Sequence, residues 1–148
     1  MALFGGQRDI KLFNTISREL MDNIIDTSVD IFKAAIYEMK ENLYGEAINK
    51  YYKPSVRVSA LITKDDQMTD ADEFGPDINQ SATFAFLKDI LEWDSNLVLE
   101  NGDIIYWDNT YWEVDSIVEN QYVAGKNDKT SNLGNIFGNS HSIICQTH

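Results

Sequence analysis

The chain has 148 residues and carries 12 basic against 24 acidic side chains, a net charge of −12 at pH 7. This length predicts a single domain over residues 1–148 that buries about 70% of the surface its unfolded chain would expose. The charge disfavours nucleic-acid binding, which depends on Lys and Arg at phosphates, and no apolar run approaches the roughly 20 residues of a membrane-spanning helix.

The first predicted element is a short amphipathic helix over 9–21. Leu12, Phe13, Ile16 and Leu20 recur at helical spacing, and Asp9 is a candidate N-cap. Residues 23–37 fit two structures, because their apolar positions match both a strand and one helical face. The density of β-branched residues favours the strand, and the helix remains the alternative.

The middle of the chain alternates connections with strands. Residues 38–53 form a polar connection, and Pro54 precedes a strand over 56–63. Residues 64–80 are rich in acidic and turn residues and predict a long exposed loop. A strand over 81–87 follows, with Ala82, Phe84 and Phe86 on one face, and then one helical turn over 88–93.

The most distinctive stretch is a predicted β-hairpin. Two aromatic and β-branched runs, 104–107 and 111–114, flank the short polar break Asp108-Asn109-Thr110, and the second strand continues to 118. In the second run the face that contains Trp112 and Val114 is the more apolar, so it is the face expected in the core. Residues 121–125 close another strand, 126–140 predict a long flexible loop, and 141–147 predict a last strand. The fold class is therefore mainly β: a small β-barrel or sandwich of about six strands, with a short N-terminal helix and long loops.

The acidic charge is concentrated in one part of the chain. No Lys or Arg lies between Lys88 and Lys126, whereas nine acids do. They are Asp89, Glu92, Asp94, Glu100, Asp103, Asp108, Glu113, Asp115 and Glu119. Such a stretch is either an ordinary solubilising surface or a surface that repels DNA.

Catalytic and metal-binding patterns fail on spacing. In a strand, His141 and Cys145 share a face while His148 points the opposite way, and no fourth zinc ligand follows. The loop at 64–80 matches a calcium loop at three offsets but has Phe74 at a ligand position and Ser81 where the bidentate Glu belongs. The sequence therefore predicts no enzyme, no cofactor and no metal site. The lone Cys145 excludes an internal disulfide and favours a reducing compartment.

Several segments taken in order resemble the neck proteins of tailed bacteriophages, the head-to-tail connector or head-completion components of contractile-tailed phages. They are the start MALFGG, the tract NKYYKPSVRVSALI, the segment EFGPDINQSATFAFLKDIL, the hairpin GDIIYWDNTYWEVDSIVENQYVAGK and the tail SHSIICQTH. The resemblance spans nearly the whole chain, and the hairpin is its most particular part.

The resemblance implies a structural virion protein that is assembled in the bacterial host cytoplasm. It implies a homo-oligomeric ring, a hexamer, that closes the DNA-filled head and joins it to the tail. The implied partners are the portal or its adaptor, other neck proteins and the tail terminator, with DNA passing through the lumen without specific binding and with no membrane contact.

Two sets of residues follow as site predictions. The nine acids of the base-free segment are predicted to line the lumen, where like charge lets DNA pass. The two long loops are predicted partner contacts, through Asp70, Asp72, Glu73, Phe74, Asn132, Leu133, Ile136 and Phe137. Two other functions compete: a tail-completion or baseplate protein, and a cellular ligand- or peptide-binding β-barrel that uses exposed aromatics such as Trp107 and Tyr111.

Overall fold

A computed structural model describes residues 7–35, 49–72, 75–119 and 142–148. Within these ranges the chain forms helix α1 (Gln7–Glu19), two π-helical turns (Leu20–Ile25 and Asp89–Asp94) and nine strands. The strands are β1 (Ser28–Phe32), β2 (Val56–Ser59), β3 (Leu61–Lys64), β4 (Met68–Asp72), β5 (Gly75–Asn79), β6 (Ala82–Leu87), β7 (Ile104–Trp107), β8 (Thr110–Val118) and β9 (Ser142–Thr147). The predicted strand at 121–125 and the predicted loop at 126–140 lie outside the described residues.

Helix α1 confirms the helix predicted over 9–21. It begins at Gln7, so Asp9 lies in the first turn rather than at the cap, where its carboxylate still interacts favourably with the helix dipole. The helix continues into the first π-helical turn and ends at Asp26, whose φ of 48° is left-handed and whose N–H donates to the Met21 carbonyl. β1 starts at Ser28, so the favoured strand in the ambiguous segment is confirmed for residues 28–32, whereas 23–25 are helical.

Seven strands form one antiparallel sheet in the order β2-β1-β7-β8-β9-β6-β3. β2 and β3 lie at its opposite edges although only Ala60 separates them in the chain, so the sheet curls until its edges meet at that residue. β8 pairs with β7 through its first half and with β9 through its second, and the register shifts between Val114 and Ser116. A strand that passes between sheets through a bulge forms the corner of a sandwich. The fold is therefore mainly β and sandwich-like, as predicted, and is not closed into a barrel.

Two predicted elements differ from the structure. The strand expected over 56–63 is two strands, which separate where the buried Ala60 donates its N–H to the Thr27 carbonyl, at 2.9 Å. The loop expected over 64–80 contains the hairpin β4–β5, which forms a two-stranded sheet of its own. Among the described strands, each of these two pairs with the other and neither joins the seven-stranded sheet, and their acidic and turn residues resemble a loop in sequence.

The core lies beneath the central hairpin β7–β8, on the face predicted from the sequence. Trp112 and Val114 are buried, whereas Tyr111 is 65% exposed. Phe84 is fully buried, and its ring meets Trp107 and Trp112 edge-on with centroids 6.2 and 6.3 Å apart. The neighbours of Phe84 on β6, Ala82 and Phe86, are buried as well, which confirms the predicted inward face of that strand.

The hairpin turn is shorter than the polar break suggested. Thr110 already pairs with Trp107, which leaves Asp108 and Asn109 as a two-residue turn. Their φ angles are 52° and 59°, as a type I′ turn requires. Asp and Asn tolerate this conformation better than most residues, so the turn chemistry and the strand twist agree.

Candidate functional site

The acids of the base-free segment do not form a continuous unpaired surface. In the fold, each has a basic or amide partner, and most of these partners come from earlier in the chain. The pairs are Asp89 with Asn14, Glu92 and Glu119 with Lys88, Asp94 with Arg18, Glu100 and Asp103 with Lys33, Asp108 with Lys64, Glu113 with Lys50, and Asp115 with His148. The segment therefore contains no Lys or Arg of its own, but the fold brings basic side chains from earlier in the chain beside its acids.

Asp103 differs from the other eight acids because its side chain has no solvent exposure. Its carboxylate accepts the backbone N–H groups of Ala34 and Glu100, at 2.9 and 2.8 Å, and contacts Lys33 Nζ at 3.1 Å. These bonds tie the turn before β7 to the chain that follows β1. A buried, fully bonded carboxylate cannot face a lumen, so the prediction is wrong for Asp103; for the other eight acids it stays a prediction.

Two lysines each hold two carboxylates. Lys33 Nζ lies 2.7 Å from Glu100 as well as beside Asp103, and the hydrogen bond lowers the pKa of Glu100. Partial burial opposes the charge on Lys88, but its hydrogen bond to Glu119 and the nearby charge of Glu92 outweigh this and raise its pKa. Glu100 and Glu119 are each the more exposed carboxylate of their cluster. Either can therefore be changed at an exposed position while its lysine keeps the second carboxylate of the cluster.

The predicted partner-contact residues fall into three groups. Asp70 and Asp72 lie on β4, in the separate hairpin that replaces the predicted loop. Glu73 and Phe74 lie outside the described residues, as do Asn132, Leu133, Ile136 and Phe137. Their role as partner contacts stays a prediction.

Helix α1 and the π-helical turn that continues it carry apolar side chains on their outer side, a feature that the sequence pattern could not assign to solvent or core. Leu12, Ile16, Leu20 and Ile24, spaced four residues apart, are 59, 55, 44 and 75% exposed. We call these four residues the apolar stripe. Residues at this spacing lie on one helix face, so the stripe is a single apolar surface directed away from the core.

The contacts between the helix and the body are mainly polar. Asn14 Nδ2 donates to Asp89 at 3.0 Å, Arg18 pairs with Asp94, and Asp22 accepts from Ser59 Oγ at 2.8 Å. Met21 is the buried anchor at the C-terminal end of the helix. This polarity is the reverse of an ordinary amphipathic surface helix, whose apolar side covers the core.

An aromatic groove lies at the far end of β1 from the helix. It has a volume of about 650 Å³, and its described lining is Phe32, Tyr52, Lys53, Pro54, Ile104 and Tyr111. The Tyr111 ring lies 4.8 Å from that of Tyr106 and 6.2 Å from that of Phe32, measured between centroids. Since Ser28 begins β1 near the helix and Phe32 ends it at the groove, the length of the strand, about 13 Å, separates the two surfaces.

A second concavity, of about 670 Å³, lies beside the start of β6 and the end of β9. Asp65, Asp66, Asp115 and His148 line it together with polar neighbours, and His148 Nδ1 lies 2.6 Å from Asp115 Oδ1. Within the described ranges, no three His, Cys, Asp or Glu side chains are close enough together to hold a metal ion.

The cysteine considered as a zinc ligand is part of the core. Cys145 is fully buried, and its burial, followed by the charges of Asp103 and Glu119, raises its pKa to about 12. The His148 side chain contacts the Asp115 carboxylate, and His141 lies outside the described residues. At neutral pH the buried thiol is therefore protonated and a poor nucleophile.

Comparison with known proteins gives a likeness of fold. No protein-family model and no curated protein matches the chain. Among solved structures, a chain of the virion of a native gene transfer agent particle matches with a TM-score of 0.54 and 10% sequence identity, over 82% of this chain and 90% of that one. In the described part of the chain, no helix is long and apolar enough to cross a membrane. At this identity the match shows that the two chains share a fold across most of their length.

Proposed function

We propose that this chain is a structural virion protein of a phage neck, which forms a ring that closes the DNA-filled head and joins it to the tail. The observation that carries the proposal is the fold shared with a chain of a gene transfer agent virion over most of both lengths. The segments that resemble phage neck proteins agree with it independently of the fold. The proposed role is structural and requires no catalysis.

Two unlike surfaces at opposite ends of β1 support a ring. A ring closes when one surface of each copy binds a different surface of the next, with a rotation that returns to the start. A small β-domain with the apolar stripe at one end and the aromatic groove at the other has this asymmetry. The proposed partners are further copies of the chain, the portal or adaptor above and the tail components below.

The first test is the mass and symmetry of the purified protein, alone and bound to portal-bearing heads. We expect a closed sixfold ring, either in solution or only on the heads, by mass photometry and negative-stain averaging. A monomer that binds neither heads nor tails would overturn the neck assignment. That result would favour a second candidate function, a peptide-binding module. The observation that supports this candidate is the aromatic groove, which could hold a peptide.

We further propose that exposed acids of the 89–119 region face the lumen of the ring. The variant to test is Glu100→Lys with Glu119→Lys, because Lys33 keeps Asp103 and Lys88 keeps Glu92 as partners. We expect DNA ejection from particles to slow, since two cations per subunit would attract the passing phosphates, and we expect added salt to restore the rate.

The matched control is Asp65→Lys with Asp66→Lys, which makes the same change of charge at exposed positions outside the segment. Its ejection rate should equal that of the unmodified particle. If both variants eject DNA at the unmodified rate, or if both slow equally, these acids do not line the DNA path.

A further inference from the structure

We propose that the apolar stripe, which runs along α1 and the π-helical turn after it, binds the aromatic groove of a second copy of this chain. The inference rests on the proposed ring and deepens it by naming the two surfaces that meet. The occupant of the groove is thus a helix face of four aliphatic side chains, presented by the neighbouring subunit.

The stripe requires a partner because of how the helix is attached. The same helix directs Asn14 and Arg18 at the body and leaves Leu12, Ile16, Leu20 and Ile24 in solvent. An isolated monomer would be expected to reverse this arrangement, since apolar area removed from water is the main favourable contribution to folding and association. A contiguous exposed apolar face on an otherwise strongly charged protein marks an interaction surface.

The groove offers a matching surface on the same chain. Five of its six described lining residues are aromatic or aliphatic, counting Pro54, and the sixth is Lys53. Aliphatic helix positions spaced by one turn are the usual anchors for a helix lying in an apolar groove. Because the stripe and the groove lie at opposite ends of β1, the stripe cannot reach the groove of its own subunit. The contact therefore forms between subunits and repeats from copy to copy.

The charges beside the two surfaces are complementary between copies, as a contact with a second copy requires. Two chains of net charge −12 repel each other, so a stable contact needs local attraction. Among the described residues, Lys53 at the groove has no ion pair, and neither has the exposed Glu19, one turn beyond Ile16 on the stripe side. Docking of the stripe into the groove brings Glu19 towards Lys53.

Disulfide trapping tests the contact directly. We would place Ile16→Cys and Tyr111→Cys in the same chain, with Leu20→Cys and Tyr111→Cys as a second pair for a register one turn away. All three positions are exposed, and the native Cys145 is fully buried and does not compete. Mild oxidation of the protein, alone or on portal-bearing heads, should give a ladder of covalent dimers, trimers and larger species that ends at the subunit number of the ring.

The control replaces Ile16→Cys with Val98→Cys, an exposed apolar position off the stripe that is 60% exposed. With Tyr111→Cys it should give no ladder. The variant Ile16→Glu should abolish the ring while Val98→Glu leaves it intact, both with unchanged monomer circular dichroism.

The outcomes separate this inference from the proposed function. A ring seen by mass in which neither cysteine pair forms a ladder overturns the inference and leaves the neck role standing. Covalent dimers formed by Ile16→Cys alone, with no longer species, indicate a twofold helix–helix contact and overturn it as well. Absence of any ring, both in solution and on heads, overturns the proposed function itself.

Discussion

Replacing Asp103 with alanine is expected to lower the free energy of unfolding by about 3–5 kcal/mol, the range for removing one partner of a buried charge pair. The substitution leaves the N–H groups of Ala34 and Glu100 without their acceptor and removes one of the two carboxylates on Lys33. A buried donor left without a partner is penalised by its full desolvation. Urea unfolding followed by tryptophan fluorescence measures the change, with an unaltered slope expected if only stability changes.

The matched control is Glu100→Ala, which removes the other carboxylate from the same lysine. Glu100 is exposed, so solvent screens its pair with Lys33 and the loss should stay within about 1 kcal/mol. Its lowered pKa gives the pair a pH dependence: the contribution is present above the unfolded pKa of a glutamate and is lost as the pH falls through the lower folded value. Equal losses in the two variants would show that burial of Asp103 does not decide its contribution.

The sequence could predict those elements whose local chemistry and periodicity agree. In the hairpin β7–β8, turn residues that tolerate positive φ lie between two β-branched and aromatic runs, and both the turn and the inward Trp112 face are confirmed. In β6, strict alternation identified the buried face of Phe84 correctly. Period-2 patterns are informative where one side of a strand meets a core, because the two faces then differ in polarity.

Other elements could not be predicted, for physical reasons that differ. Among the described strands, β4 and β5 pair with each other and do not join the main sheet, so the alternation that the main sheet requires is no guide to them. The break between β2 and β3 arises because two distant sheet edges meet at Ala60, which is a tertiary constraint without a local signal. Periodicity in α1 correctly located an apolar face but could not tell whether that face meets the core or solvent.

The acidic segment shows the same limit for the candidate site. Its charge was read along the chain, whereas Arg18, Lys33, Lys50 and Lys64 reach it only through the fold. The sequence around Asp103 gives only a weak indication that this residue is buried: Asp103 follows Gly102 in a turn immediately before a strand. Turn acids that bond backbone N–H groups are common, but the sequence does not say which of them are buried.

Replacing Phe84 with alanine is expected to lower the free energy of unfolding by about 3–5 kcal/mol, the range for truncating a buried aromatic residue. The ring is fully buried and contacts Trp107 and Trp112, one from each strand of the central hairpin. Its loss leaves a cavity beneath the hairpin that only partial relaxation can fill. Near-ultraviolet circular dichroism should therefore weaken in the folded state, and urea unfolding should shift to lower concentration.

Two comparisons make this prediction specific. Phe84→Leu keeps most of the volume and should lose clearly less stability than Phe84→Ala, whereas truncation of the exposed Tyr111 to alanine should change stability by about 0.5 kcal/mol or less.

Tyr111 lines the aromatic groove, so the same truncation should impair ring assembly. Phe84→Ala has the opposite profile if the hairpin keeps its position: a less stable subunit that still assembles below its unfolding midpoint. A Tyr111→Ala protein that unfolds as early as Phe84→Ala would show that the groove and the core are one cooperative unit rather than an assembly surface on a rigid scaffold.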